Sequence, residues 1–306
     1  MSGLAEQAEE YLGLRRALGH ELNDAVRLLP RFVAYLDSME VSTITTEVAL
    51  SWVQQPHAQP SSSVWLRRMT VARGFARHMS GIDPATEVPP LGLVTFRPRW
   101  RPPFVYSSDD VAALMDEVPR IIPTPIRAAT FRTMIGLLVA TGMRVGEVIR
   151  LGISDIDWSD GVLVVRSSKF KKSREVPLDP SVVEALGLYA ELRDQCVSRS
   201  RGSTFFVSTI GTPVIYSDFG LFFRRLLVAS GVGACSSRRP RIHDFRHSFA
   251  VHTLVAWYRA GEDVGALLPR LSTYMGHIEV RYTYWYLSAA PELLALAADR
   301  LEAVRR

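Results

Sequence analysis

Residues 89–103 read Pro89-Pro90-Leu-Gly-Leu-Val-Thr-Phe-Arg97-Pro-Arg99-Trp-Arg101-Pro-Pro103, and no other segment limits the possible folds as much. Five prolines fix φ and withhold backbone donors, so neither a helix interior nor a central strand can run through it. The stretch reads as an extended linker. At 306 residues the chain is also too long for one small core. The division expected is a helical domain over 1–88, a linker over 89–104 and a second domain over 105–306.

Patterning on either side predicts a mainly α protein with a small β component. Helices are expected within 10–80, and a new one opens at Tyr106-Ser-Ser108-Asp-Asp110, with Ser107 or Ser108 as cap and acids in its first turn. Beyond it a helical domain is interrupted by strands near 155–178 and 204–214, with helices near 180–194, 217–230, 243–259 and 291–304. With 47% apolar and 22% charged residues the composition is that of a folded chain. Cys196 and Cys235 stand in no metal spacing and imply neither a disulfide framework nor a zinc site, which suits a reducing compartment. The N-terminus is acidic where a signal peptide would be basic, and no apolar run reaches membrane-spanning length. A cytoplasmic protein without membrane contact is expected.

Chemistry concentrates in the second half. In Arg241-Ile-His-Asp-Phe-Arg-His-Ser-Phe-Ala250 the apolar rhythm is helical and continues to Trp257, placing His243 and Arg246 on one helix face. A guanidinium offers a fixed fork of donors to two phosphate oxygens, and an imidazole one turn away can give or take a proton at the same group. Alone, such a pair is most often an exposed helix face. His247 and His252 are read that way, as satisfied structural histidines.

Lysine usage points in the same direction. Only three of the 36 basic side chains are lysines, and all fall in Ser168-Lys169-Phe-Lys171-Lys172. Arg stays protonated, whereas a Lys can release its proton when its surroundings lower its pKa. The cluster sits at a polar tip between two short apolar strands, Val162-Leu-Val-Val165 and Glu175-Val-Pro-Leu178.

Net charge is +5, which permits nucleic-acid binding without requiring it. Residues 1–100 hold ten Arg against ten Asp or Glu, so the excess lies wholly in 101–306. One local patch remains in the first part: along Ser63–Met79, Arg67, Thr70, Arg73 and Arg77 share about a third of a helix circumference at roughly 100° per residue. This face either lies on phosphates or is simply solvated. Arg97, Arg99 and Arg101 alternate along the linker and leave the same two readings open.

Further motifs make the pattern specific: Ala140-Thr-Gly-Met-Arg144-Val-Gly-Glu147-Val-Ile-Arg-Leu151, and Tyr274-Met-Gly-His277-Ile-Glu-Val-Arg-Tyr-Thr-Tyr-Trp-Tyr286. With His243 and Arg246 between them, the chain resembles the tyrosine recombinases of the phage-integrase family, with a lean toward those carried by transposon-like elements. The signature is an Arg in a Gly-x-Arg-x-x-Glu turn, a hairpin Lys, His-x-x-Arg, Gly-His, and a Tyr nine residues after that His. It spans residues 141–286 in the family's order and selects Tyr286, leaving Tyr282 and Tyr284 to aromatic packing. Counted back from Val-Pro-Leu, the hairpin Lys is Lys169.

The resemblance implies a two-domain clamp, an N-terminal helical core-binding domain and an α+β catalytic domain, acting on double-stranded DNA as a site-specific recombinase. Tyr286 would form a 3′-phosphotyrosine, conserving bond energy so that rejoining needs no nucleotide cofactor. Arg144 and Arg246 would hold the nonbridging oxygens, His243 would assist proton transfer from the tyrosine, Lys169 would protonate the departing oxygen, and His277 would donate to the phosphate. Glu147 would orient the site or form an ordinary helix salt bridge. No metal is required. Arg67, Arg73, Arg77, Arg99, Lys171 and Lys172 are the expected DNA contacts. A homo-oligomer, a tetramer on paired sites, or partner recombinases would assemble, with an amphipathic helix after Pro291 docking on a neighbour or capping its own domain. A nucleoid-associated location in the cytoplasm follows. The competing readings are a type IB topoisomerase-like enzyme and a DNA-binding accessory protein without turnover. Two departures stand out: Arg246 and His277 lie 31 residues apart, with 258–269 filling extra length, and Phe170 follows Lys169 where a small residue is frequent.

Overall fold

The structure, a computed structural model, describes residues 3–20, 22–55, 63–95, 102–166, 173–197, 202–289 and 293. The chain divides into two compact units, Met1–Trp100 and Arg101–Arg306.

The first unit is built from α1 (Gly3–Ala17), α2 (Asn23–Ser38), α3 (Thr46–Val53) and α4 (Val64–Met79). On α2, Leu28, Leu29, Phe32, Val33 and Leu36 recur at helical spacing and are all buried, meeting Trp52 of α3 and Met69, Ala72, Phe75 and Ala76 of α4 in one core. Each of the larger side chains contributes about 2–3 kcal/mol by leaving water. Thr45 caps α3 by accepting from Val48 N at 3.2 Å, and Arg68 Nη1 donates to the Trp52 and Val53 carbonyls at its other end. Ser63 precedes α4 but makes no capping hydrogen bond.

The second unit contains α5 (Ser108–Ile121), α6 (Pro125–Thr141), α7 (Val145–Ile149), strands β1 (Ile156–Asp157), β2 (Val162–Val165) and β3 (Arg174–Pro177), then α8 (Pro180–Cys196), α9 (Tyr216–Ser230), α10 (Asp244–Arg259), α11 (Val264–Met275) and α12 (Arg281–Ala289). Ser107, not Ser108, caps α5, in a reciprocal box with Asp110. Apolar nearly all round, α6 packs against α5, α8 and α10. It ends at Gly142, whose φ of 60° suits glycine, and a Cβ there would meet Phe249 at 2.6 Å. The sheet is antiparallel in the order β1-β2-β3, and the facing pair Leu163 and Val176 is fully buried.

Two expectations need correction. Residues 204–214 form no strand, only isolated bridges from Thr204 to Gly152 and from Val207 to Pro213. Side chains satisfy that backbone instead: Val207 N donates to Tyr189 Oη, and Thr130 Oγ1 donates to the Val207 carbonyl. Nor is 258–269 merely extra length. Its second half begins α11, capped where Asp263 accepts from Ala266 N, and Val264 and Leu268 are buried in a cluster with Leu254, Leu271, Met275, Tyr286 and Leu293. The helix expected near 291–304 lies outside the described residues except for Leu293. Among the described residues no helix is long and apolar enough to cross a membrane.

Candidate active site

Two glycine turns and two helices of the second unit deliver side chains to one place. After Gly142 closes α6, Arg144 takes an extended conformation at the head of α7. There its backbone N and its Nη1 both donate to the Glu147 carboxylate, at 3.0 and 2.8 Å, while Nη2 donates to the Gly276 carbonyl at 3.1 Å. From the first turn of α10, Arg246 sends Nη1 to the Gly142 carbonyl at 2.9 Å and Nη2 to the Met275 carbonyl. Two guanidiniums thus grip neighbouring carbonyls at the α11 C-terminus, where free C=O groups are in any case short of donors. The turn between α11 and α12 depends on Gly276, at φ 66°, and presents His277.

Tyr286, on α12, is 3% exposed. Its ring stacks on His277 at 6.0 Å and lies 5.4 Å from His247, which itself sits 4.9 Å from His243. Tyr282 packs its ring edge-on to His277 at 6.4 Å and under Arg281, while both it and Tyr284, two residues from Tyr286 and so on another face, stay half exposed. His277 Nδ1 shares a 2.8 Å hydrogen bond with Thr283 Oγ1, from the first turn of α12.

The electrostatics follow from crowding cations around one buried carboxylate. Burial opposes ionisation of Glu147, but hydrogen bonds and charge from Arg174, and then from Arg144, hold it down at about 2. Burial first and then neighbouring guanidiniums lower His277 to about 4. For His247, burial and then His243, Arg241 and Arg246 bring it to about 3. His243, although exposed as a residue, falls to about 4 through desolvation and then Arg246, Arg144 and Arg241, leaving an uncharged imidazole at pH 7. Arg246 itself drops to about 10 through burial and then the charge of Arg144. Burial raises the Tyr286 phenol, and Arg246 opposes that rise by charge and by hydrogen bonding.

The structure therefore gathers Arg144, His243, Arg246, His277 and Tyr286. Lys169, Lys171, Lys172 and Arg99 lie outside the described residues. In the first unit, Arg73 donates to the Pro89 and Pro90 carbonyls at 2.7 and 2.8 Å, Arg67 is 3.6 Å from Asp24, and Arg77 is exposed.

Sequence reasoning missed two residues here. Arg174 binds Glu147 through both Nη atoms, at 3.1 and 2.7 Å, and the Tyr274 carbonyl through Nε at 2.8 Å. His247 was read as satisfied, yet its buried Nδ1 has no hydrogen-bond partner. The helix pattern holds no sign of this, since the neighbours come from α12. His252, by contrast, donates from Nε2 to the Tyr106 carbonyl at 2.8 Å.

Comparison with known proteins fits this arrangement. The phage integrase family matches residues 105–292, more than half of the chain, and the chain belongs to that family: it is a tyrosine-type site-specific recombinase. Among relatives, a Sinorhizobium fredii protein named as a candidate integrase/recombinase, y4rB, is 40% identical over 309 residues, covering 99% of this chain and 98% of its own. The tyrosine recombinase XerD of Staphylococcus saprophyticus is 26% identical over 294 residues, 94% of each chain. In fold, the chain is similar to the Tn1549 transposon integrase solved with transposon right end DNA, with a TM-score of 0.65, 16% identity and coverage of 98% of this chain and 99% of that one.

Proposed function

We propose that this recombinase cleaves double-stranded DNA by attack of the Tyr286 phenolic oxygen on the scissile phosphorus, forming a 3′-phosphotyrosine and freeing a 5′-hydroxyl. A second 5′-hydroxyl reverses the step on a new partner strand. The supporting observation is the buried Tyr286 phenol set against Arg246, where Arg144, Arg174 and Arg246 outnumber the one carboxylate they surround. A phosphodiester supplies the missing negative charge.

Arg144 and Arg246 take the nonbridging oxygens with donors their carbonyl contacts leave over, since a guanidinium carries five N–H groups. His243, uncharged at neutral pH, is in the correct state to accept the phenolic proton. With the Thr283 hydroxyl as donor to Nδ1, His277 carries its proton on Nε2 and offers it to the phosphate. Lys169 protonates the leaving 5′-oxygen. Nothing in this scheme calls on a metal ion, so cleavage is expected to survive EDTA.

Exposed Arg77 and Arg67, with Arg99, Lys171 and Lys172, provide backbone contacts, and the first unit acts as the core-binding half of a clamp. Arg73 contributes less, being held by its own chain. A tetramer on paired sites, docked through the segment after residue 290 and housed with the nucleoid, completes the reading.

The test uses a nicked suicide substrate made from DNA flanking the gene. Wild type is expected to yield a covalent adduct that mass spectrometry maps to Tyr286, and Tyr286→Phe to yield none while still binding. An adduct on another residue overturns the assignment. Absence of any adduct under binding conditions supports the accessory role, and relaxation of a plasmid lacking a recombination site supports the topoisomerase-like reading.

A further inference from the structure

Arg174 differs from the other guanidiniums of the site in having no nitrogen to spare. Nε is committed to the Tyr274 carbonyl, and Nη1 and Nη2 to the two oxygens of Glu147. Its side chain is only 10% exposed. It stands on the same face of β3 as buried Val176, two residues on, so the pleat directs it inward. The stem also packs against the Gly276 turn, where a Cβ would meet Arg174 Nη1 at 3.1 Å and its Cδ at 3.3 Å.

These contacts join two parts of the chain that share no backbone. Glu147 accepts from the Arg144 backbone and side chain, and so fixes the guanidinium expected on one phosphate oxygen. Tyr274 lies in the last turn of α11, directly before the Gly276 turn that presents His277. A bidentate fork fixes orientation as well as distance, which a point charge cannot do.

We propose that Arg174 is a positioning residue of strand cleavage, a rigid strut that sets Arg144 and His277 at the separation one phosphodiester requires. The inference rests on the transesterification reading above. Arg174 does not touch the DNA and acts through Glu147 and the Tyr274–His277 turn. Its charge has a second effect, because Arg174 contributes most to keeping the buried Glu147 ionised. Without it burial would dominate, and Glu147 would take up a proton at a higher pH.

The experiment measures single-turnover adduct formation on the nicked substrate across pH 5–8, together with DNA affinity and thermal stability, for wild type, Arg174→Lys and Arg174→Met. Misplacement of reacting groups by about 1 Å costs on the order of 100-fold, so Arg174→Met is expected to cleave about 100-fold more slowly with affinity within about threefold of wild type. Its rate should also fall off on the acid side at a higher pH than wild type, as Glu147 protonates. Arg174→Lys, which keeps the charge and loses the fork, should retain the wild-type pH profile at a rate roughly 10-fold lower. Added guanidinium ion should recover part of the rate of an Arg174→Gly variant and none of a Tyr286→Phe variant.

Wild-type rates and pH profiles in both Arg174→Lys and Arg174→Met overturn the proposal. Loss of folded protein in both variants overturns it too, making Arg174 a residue of stability alone. Failure of the wild type to form any adduct instead sinks the transesterification reading, and the two failures are thereby distinct.

Discussion

Arginine serves each of the two units differently. In the first, Arg68 closes the end of α3 and Arg73 holds Pro89 and Pro90, each on backbone carbonyls and with no carboxylate shared between them. In the second, Arg144, Arg174 and Arg246 also bind carbonyls, but they crowd around the single carboxylate of Glu147. Carbonyl contacts satisfy donors without neutralising charge, so the second unit keeps an excess of positive charge in a largely buried place. Such an arrangement is costly without an anion. The lesson is that guanidiniums mark a site when several of them gather around fewer carboxylates than they number.

The sharpest way to break that contrast is Arg246→Lys. Lysine preserves the charge but cannot span the Gly142 and Met275 carbonyls while also facing a phosphate. Loss of a placed transition-state donor costs about 10²–10³ in rate, and adduct formation should fall by that order while DNA affinity changes little. A rate within a few-fold of wild type in a quench-flow assay would show that charge alone suffices and that the two units use arginine alike.

Much of this was legible beforehand, and the exceptions share a cause. His243, Arg246 and Arg144 could be read because each stands in a short local motif, and α8, α9 and α10 because their apolar spacing is helical over fifteen residues or more. Arg174 and His247 could not be assigned, because their partners lie 27 residues away for Arg174 and on α12 for His247. Periodicity carries no information about such contacts. The same applies to 204–214: its apolar run resembles a strand, but the partners that satisfy it are Tyr189 and Thr130 side chains.

A second, smaller effect concerns pH and belongs to the second unit. His247 and His277 have folded pKa values near 3 and 4 against an ordinary value of 6.5, so below about pH 6.5 the unfolded chain binds protons that the folded chain refuses. Stability must therefore fall as pH drops from 6.5 toward 4. Glu147, held near 2, adds a further loss below about 4.5. Denaturant titrations should give a lower midpoint at pH 5 than at pH 7. A short duplex carrying a phosphodiester at the site should narrow that gap, since an anion among the guanidiniums raises the imidazole pKa values. Equal midpoints at both pH values would mean that these rings are as solvated as surface histidines.

The smallest effects separate two arginines four residues apart on α4. Arg73 makes two hydrogen bonds to carbonyls, and bonds involving a charged group contribute about 1.5–3 kcal/mol when sheltered. With partial exposure, Arg73→Met should destabilise the first unit by about 1–2 kcal/mol and leave the salt dependence of DNA binding unchanged. Arg77 is exposed. Arg77→Met should leave stability within about 0.5 kcal/mol while reducing the slope of log affinity against log salt by about one, the loss expected for a single phosphate contact. If the slope changes with Arg73 and not with Arg77, the α4 face is oriented away from the duplex and the first unit grips DNA by another surface.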